Sequence, residues 1–340
     1  MNKFWSRHPN SRLAVLFLAG TVFGLAVFFV ITRLEYRPAQ SQKAVLGMTF
    51  STQYAKSLKL DWRQTYLAML DDLKIRRFRI PVYWDEVEAK PGVYDWSDYD
   101  WMLTEASKRG AMVTLAIGRK VPRWPECHAP GWAKAQAEPE QQTLILKLLK
   151  AEVGHFAASS AVSVWQVENE PLFQFGDCPP PDRDFLKQEI ELVKSLDPAR
   201  PTQVTDSGEL STWLRTATLA DQLGISMYRL VWNQYLGELY WPVTPMYYTE
   251  RLNAISPAVK RVIVSELQAE PWFRKGVFDT PLAEQFDSMS TSRLTENVSF
   301  AERVGVPEIY LWGGEWWYWL KTTQNHPEFW DLARKLYNGG

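Results

Sequence analysis

Beyond residue 43 the chain alternates between short apolar runs and longer stretches with apolar residues three and four apart. The short runs, rich in β-branched and aromatic residues, predict strands. They are VLGMTF at 45–50, RFRIPVY at 77–83, AMVTLAI at 111–117 and VSVWQVEN at 162–169. Four more follow: TQVTD at 202–206, LGISMY at 223–228, RVIVSE at 261–266 and EIYLWG at 308–313. Helical periodicity marks WRQTYLAMLDDLKI, with Asp61 as its N-cap, then YDWMLTEASKR, EQQTLILKLLKAEVGHFA and RDFLKQEIELVKSL. LAEQFDSMSTSRLTENVSFAERV reads as one long helix, and PEFWDLARKLY as the last. Strands separated by helices imply βαβ units and a parallel sheet. Eight strands in about 300 residues fit an α/β fold of the (β/α)8 TIM-barrel type, ~250 residues plus loops. An open doubly wound sheet gives a similar alternation. In a barrel, the catalytic groups belong at the C-terminal ends of the strands.

The N-terminal segment breaks this pattern. Residues 13–31, LAVLFLAGTVFGLAVFFVI, are uncharged and apolar throughout, with Lys3, Arg7 and Arg12 before them. At ~1.5 Å per residue the segment is long enough for a ~30 Å hydrocarbon core. It is longer than the apolar stretch of about 7–15 residues in a cleaved signal peptide, and no A-x-A site follows. The expected organisation is a cytoplasmic tail at 1–12, a transmembrane signal anchor at 13–31, a linker at 32–42 and the barrel at 43–340. The barrel is expected outside the cytoplasm, in the periplasm or at the cell surface. Arg33, Arg37 and Lys43 blur the charge asymmetry that sets this orientation.

Composition removes several functions. The formal net charge is −1 and Lys and Arg are scattered, which argues against nucleic acid as a partner. Four histidines and two cysteines form no cluster at ligand spacing, and neither GxGxxG nor GxxxxGK[ST] is present. No metal and no nucleotide cofactor is therefore expected. Cys127 and Cys178 lie in loops after neighbouring strands and can pair in an oxidising compartment; two unpaired thiols are the alternative. The 17 tryptophans suit either a bulky core or a cleft lined with aromatic faces.

Two strand ends carry candidate chemistry. The fourth strand runs into Asn169 and Glu170, and the seventh into Glu266. A pair of carboxylates at one face of a barrel suits glycosidic bond cleavage, one as proton donor and the other as nucleophile. The two roles need opposite environments, one favouring the acid and one the carboxylate. Asn169 is placed to hold a sugar 2-hydroxyl.

This pattern resembles glycoside hydrolase clan A, the retaining (β/α)8 glycosidases, over almost the whole of 44–340. In that clan Asn-Glu closes strand four and Glu closes strand seven. The resemblance implies that Glu170 is the acid/base and Glu266 the nucleophile. It extends to Arg79 on strand two and Tyr228 on strand six, which would contact the nucleophile, and to Trp312 on strand eight, which would floor the sugar site. YWDEVEAKPGVYDWSDYDWML at 83–103 is similar to the clan's segment after strand two. WQVENE resembles β-galactosidases of families 35 and 42, whereas the proline after Glu170 resembles family 5, whose strand-three histidine is missing here. The implied substrate is a β-linked oligo- or polysaccharide, cleaved without a cofactor. A transglycosidase remodelling an envelope polysaccharide and a non-catalytic glycan-binding barrel are the alternatives.

Other candidates stay open. Glu168 shares strand parity with Glu170, and is either a tuning group or a buried structural carboxylate. Glu270, four residues past Glu266, lies beyond the strand end. Glu315 is a rim contact or a solvated charge, and His128 a hydroxyl contact or a surface residue. Trp316, Trp317 and Trp319, read with period two, point to opposite faces. Trp84, Trp124 and Trp132 fall in loops at the expected active face.

Overall fold

The computed structural model describes residues 15–26, 43–233, 235, 237–273 and 275–338. Six parallel strands come first: β1 (Val45–Thr49), β2 (Arg77–Pro81), β3 (Met112–Ile117), β4 (Val162–Val167), β5 (Thr202–Asp206) and β6 (Gln222–Met227). A separate antiparallel hairpin, β7 (Leu230–Asn233) and β8 (Gly237–Tyr240), interrupts them. β9 (Arg261–Gln268) and β10 (Glu308–Trp312) then close a barrel in which β6 pairs with β9 and β10 with β1. The closed sheet excludes the open doubly wound alternative. Each predicted strand matches an observed one within two residues at either end. The strands are almost wholly buried because helices cover their outer side, which is why they read as continuous apolar runs.

The helices follow the expected stripes with three differences. Asp61 caps Trp62–Asp71 as predicted, its carboxylate accepting from the amides of Arg63 and Gln64. The long helix at 282–304 is instead two, Leu282–Ser288 and Thr291–Glu302. Ser290 breaks it by capping the second, accepting from the Arg293 amide at 3.2 Å. The segment GEWWYWLKTT is a helix, Gly314–Thr323, so the period-two reading of its tryptophans fails. Trp316, Trp317 and Trp319 are all buried, with Trp316 Nε1 donating to Gln285 and Trp317 Nε1 to the Ala269 carbonyl. The β5–β6 link, 207–221, contains turns and no helix.

Of the expected anchor, residues 15–26 form a helix with exposed side chains, and the remainder of 13–31 lies outside the described residues. No helix among the described residues is long and apolar enough to cross a membrane. The tail at 1–12 and the linker at 32–42 lie outside the described residues as well.

Candidate active site

Inside the barrel the core gives way to a polar ladder. Gln222 Nε2 on β6 donates to Gln203 Oε1 on β5 at 2.8 Å, and Gln203 Nε2 to Gln166 Oε1 on β4 at 3.0 Å. These glutamines are register partners across the three strands, so their side chains share the barrel interior. Gln166 Oε1 also accepts from Arg79 Nε of β2 at 2.6 Å. The ladder thus ends on a buried guanidinium, whose remaining nitrogens reach two site residues. Arg79 Nη1 donates to Glu266 Oε1 at 2.7 Å and Nη2 to Asn169 Oδ1 at 2.6 Å.

Glu266 owes its inward aim to a bulge. β6 residues Ile225 and Ser226 are consecutive, yet they pair with Val264 and Glu266, so Ser265 is the extra residue in β9. Ser226 sits on the interior side with Gln222 and Gly224, and the bulge brings Glu266 to the same side. There the carboxylate is buried, with Arg79 on one oxygen and the Tyr228 hydroxyl donating to the other at 2.9 Å. Both partners are donors, which suits an ionised acceptor. Burial and the Glu266 charge push the Tyr228 phenol well up, so it stays protonated.

Glu170 is held differently. β4 ends at Val167, and Glu168 and Glu170 both take positive φ, 58° and 43°, so strand parity no longer governs them. The Glu170 amide donates to Thr205 Oγ1 at 2.7 Å, and its Oε1 accepts from Ser226 Oγ at 2.6 Å. Burial, then the Glu266 charge, raises the Glu170 carboxyl to about 8, against a smaller lowering by Ser226. Glu170 keeps partial exposure. Asn169 is pinned: Oδ1 accepts from Arg79 and from Thr205 Oγ1 at 3.1 Å, and Nδ2 donates to Glu126 Oε2 at 2.9 Å. One amide hydrogen remains for another acceptor.

Several site residues escaped the sequence reading. They ride on the turn after β3, where Arg123 and Glu126 take positive φ, 90° and 73°. Glu126 is buried behind Asn169, and burial followed by the Glu266 charge raises it to about 8. Arg123 lies 4.1 Å over the Trp312 ring and 3.7 Å over that of Tyr54, and pairs with Glu270 and, at 3.5 Å, with Glu315. Trp312, expected to floor the sugar site, is nearly buried with the guanidinium on its ring. Glu315 is neither rim contact nor solvated charge: it is fully buried, accepts from the Ser51 amide at 2.5 Å, and burial raises it to about 7. His128 is likewise no surface residue. It packs on Tyr83 at 4.5 Å and bonds the Arg123 carbonyl at 3.0 Å, and burial lowers it to about 4. Pro125 within RWPEC was the available signal for an unusual turn, though nothing in it marks which side chain points inward.

Glu168 turns away from Glu170. Its oxygens accept from the amides of Arg119 at 2.7 Å and Lys120 at 2.6 Å, in space that a side chain at Gly118 would fill. Glu189, on the helix Arg183–Leu196, hydrogen-bonds it, and burial raises both carboxyls. The structural alternative for Glu168 is the one realised. Glu152 is also buried, and desolvation pushes its carboxyl well up.

No protein-family model matches the chain, nor does any curated protein. Solved structures do. Xylanase 10B from Thermotoga maritima matches with a TM-score of 0.55 at 14% identity, over 89% of this chain and 98% of that one. A family 5 (subfamily 18) glycoside hydrolase from Bifidobacterium longum subsp. longum gives 0.58 at 12% identity, over 80% and 70%. A β-galactosidase from Rahnella sp. R3 gives 0.53 at 12% identity, over 81% of this chain and 51% of that one, so the chain spans about half of that enzyme's length. The fold is that of the clan A glycoside hydrolases. At such identity the likeness carries the fold, and the site rests on its own geometry.

That geometry brings Arg79, Asn169, Glu170, Tyr228 and Glu266 together through shared hydrogen bonds. Of the loop tryptophans, Trp84 is buried and Trp132 packs edge-on against it at 5.8 Å, while Trp124 is 65% exposed. Cys127 and Cys178 form a disulfide between the β3 and β4 loops.

Proposed function

We propose that the chain is a retaining β-glycoside hydrolase acting on a β-linked glycan. The observation that carries this reading is the contrast between its two strand-end carboxyls. Glu170, raised to about 8, suits the acid that protonates the leaving oxygen. Glu266, fixed by Arg79 and Tyr228 with a bulge behind it, suits attack on the anomeric carbon. In the first step the Glu266 oxygen bonds to that carbon as the glycosidic bond breaks and the Glu170 proton passes to the leaving oxygen. In the second, Glu170 takes a proton from water, and the resulting hydroxide displaces Glu266 with net retention. The free Asn169 amide hydrogen is the donor for the 2-hydroxyl of the sugar being cleaved.

We place the barrel outside the cytoplasm, a reading supported by the Cys127–Cys178 bond. The anchor at 13–31 rests on composition alone. The test of function is a panel of aryl β-glycosides with the full chain, the product anomer being followed by NMR. Release of the β-anomer and labelling of Glu266 by a 2-fluoro glycoside are expected; labelling elsewhere, or an inverted product, refutes the mechanism.

A further inference from the structure

Three aromatic side chains gather on the loops beside Glu170 without any part in the two-carboxylate chemistry. Phe173 follows Glu170 in a tight turn, its amide donating to the Glu170 carbonyl at 3.0 Å. Its ring stacks on Phe175, with centroids 6.0 Å apart and planes at 14°. Phe175 in turn meets Trp124 of the β3 loop edge-on at 6.2 Å. Trp124 is 65% and Phe175 38% exposed, whereas the other described tryptophans are buried or half-buried.

The platform is built, not incidental. Lys120 Nζ donates to the carbonyls of Glu170 at 3.0 Å and Phe173 at 2.7 Å, tying the turn to the β3 loop. The Asp177 amide donates to the Pro125 carbonyl at 3.0 Å, and the disulfide follows on both loops. Gly176 sits between them at φ 80°, where a Cβ would lie 2.6 Å from Glu126 Cβ and from the Pro125 carbonyl oxygen. The loops are thus clamped at backbone contact, which fixes three rings relative to Glu170.

We propose that Trp124, Phe173 and Phe175 form a sugar-stacking subsite for the leaving-group end of a β-linked oligo- or polysaccharide. This rests on the hydrolase reading, because it is Glu170 in its acid role that faces the leaving oxygen. Whatever is bonded to that oxygen extends past Glu170, and the platform begins three residues further along the chain. Pyranose rings offer C–H faces to flat aromatics with hydroxyls at the rim left to water. Two exposed rings, Trp124 and Phe175 backed by Phe173, match one or two sugars, whereas a protein interface needs roughly 1,000 Å². The substrate class is therefore a glycan with sugars on both sides of the cleaved bond, and not a small alkyl or aryl glycoside.

The experiment uses the full chain with cellohexaose, xylohexaose and laminarihexaose. Affinity is read by Trp fluorescence and calorimetry on wild type, Trp124→Ala, Phe175→Ala and Trp124→Phe, all checked for unchanged melting. At least one hexasaccharide binds wild type, Trp124→Ala weakens it about tenfold, Phe175→Ala somewhat less, and Trp124→Phe restores most of the loss, in line with the worth of an aromatic contact. Where the hexasaccharide is cleaved, its kcat/KM falls several-fold more in Trp124→Ala than that of an aryl glycoside. Equal affinity in wild type and Trp124→Ala, equal losses on both substrate types, or no binding of any hexasaccharide overturns the proposal. Binding that depends on Trp124 without any cleavage leaves the platform standing and removes the hydrolase reading instead.

Discussion

Glu170 and Glu266 are both strand-end glutamates of one barrel, and the chain holds them by opposite means. Glu266 lies within β9, turned inward by one extra residue and gripped by a guanidinium and a phenol. Glu170 lies past the end of β4 on left-handed backbone, partly open, with a single hydroxyl on its carboxyl. The first arrangement fixes a charge in place. The second leaves a carboxyl that burial and its neighbour's charge keep protonated. Environment assigns the two roles, residue type does not.

Removing each carboxyl in turn is the severest way to break that contrast. Glu266→Ala should lower turnover of any cleaved substrate by roughly 10⁴-fold or more, since no bond to the anomeric carbon can form. Glu170→Ala should cost about 10²–10⁴-fold on substrates with poor leaving groups and far less on activated aryl glycosides, with azide restoring the latter. If the two variants lose the same factor on both substrate types, the division of labour is wrong. Arg79→Met leaves Glu266 buried and unpaired; it should cost about 3–5 kcal/mol of stability in denaturant titration as well as activity.

The pH profile sharpens the same contrast more gently. Catalysis by the acid form of Glu170 requires kcat/KM to fall as pH rises through about 8. Glu126, also near 8 and close to Glu266, titrates in that range, so the limb belongs to the coupled set. Ser226 lowers the Glu170 value, so Ser226→Ala should move the alkaline limb to higher pH, and a limb that stays put refutes this pairing. The smallest effect is on stability. Glu126 and Glu170 keep in the folded state protons that the unfolded chain loses near its ordinary 4.5. The folded state thus binds more protons, and stability falls as pH rises from about 4.5 to about 8. Glu189, raised by burial, adds to that slope, so Glu189→Gln should flatten the fall in melting temperature.

Much of this was legible in the letters because parallel strands are buried on both faces and stand out as apolar runs. Asn169, Glu170 and Glu266 were found because they end such runs in polar residues. What stayed hidden lies where backbone conformation overrides counting. Strict alternation along 261–266 groups Glu266 with Val262 and Val264, on the side facing the helices; only the bulge at Ser265 reverses it. Positive φ at Glu168 undid its parity with Glu170. Arg123 and Glu126 sit in a turn with no periodicity to read, and their approach to Trp312 and Asn169 depends on chain segments far apart in sequence. The tryptophans of 314–323 misled because two-residue spacing fits a helix as readily as a strand when most positions are buried.

The buried acids change what the molecule looks like to an electric field. The formal charge of −1 counts every glutamate as ionised. Burial raises the carboxyls of Glu126 and Glu170 to about 8 and pushes those of Glu152 and Glu189 well up, and each shift moves that count in the positive direction. The native chain is consequently less negative than its composition implies, and it should focus above the pI of about 6.5 that the composition assigns. Urea should return it to the lower value, so that focusing with and without denaturant displays unfolding as a displacement of the band.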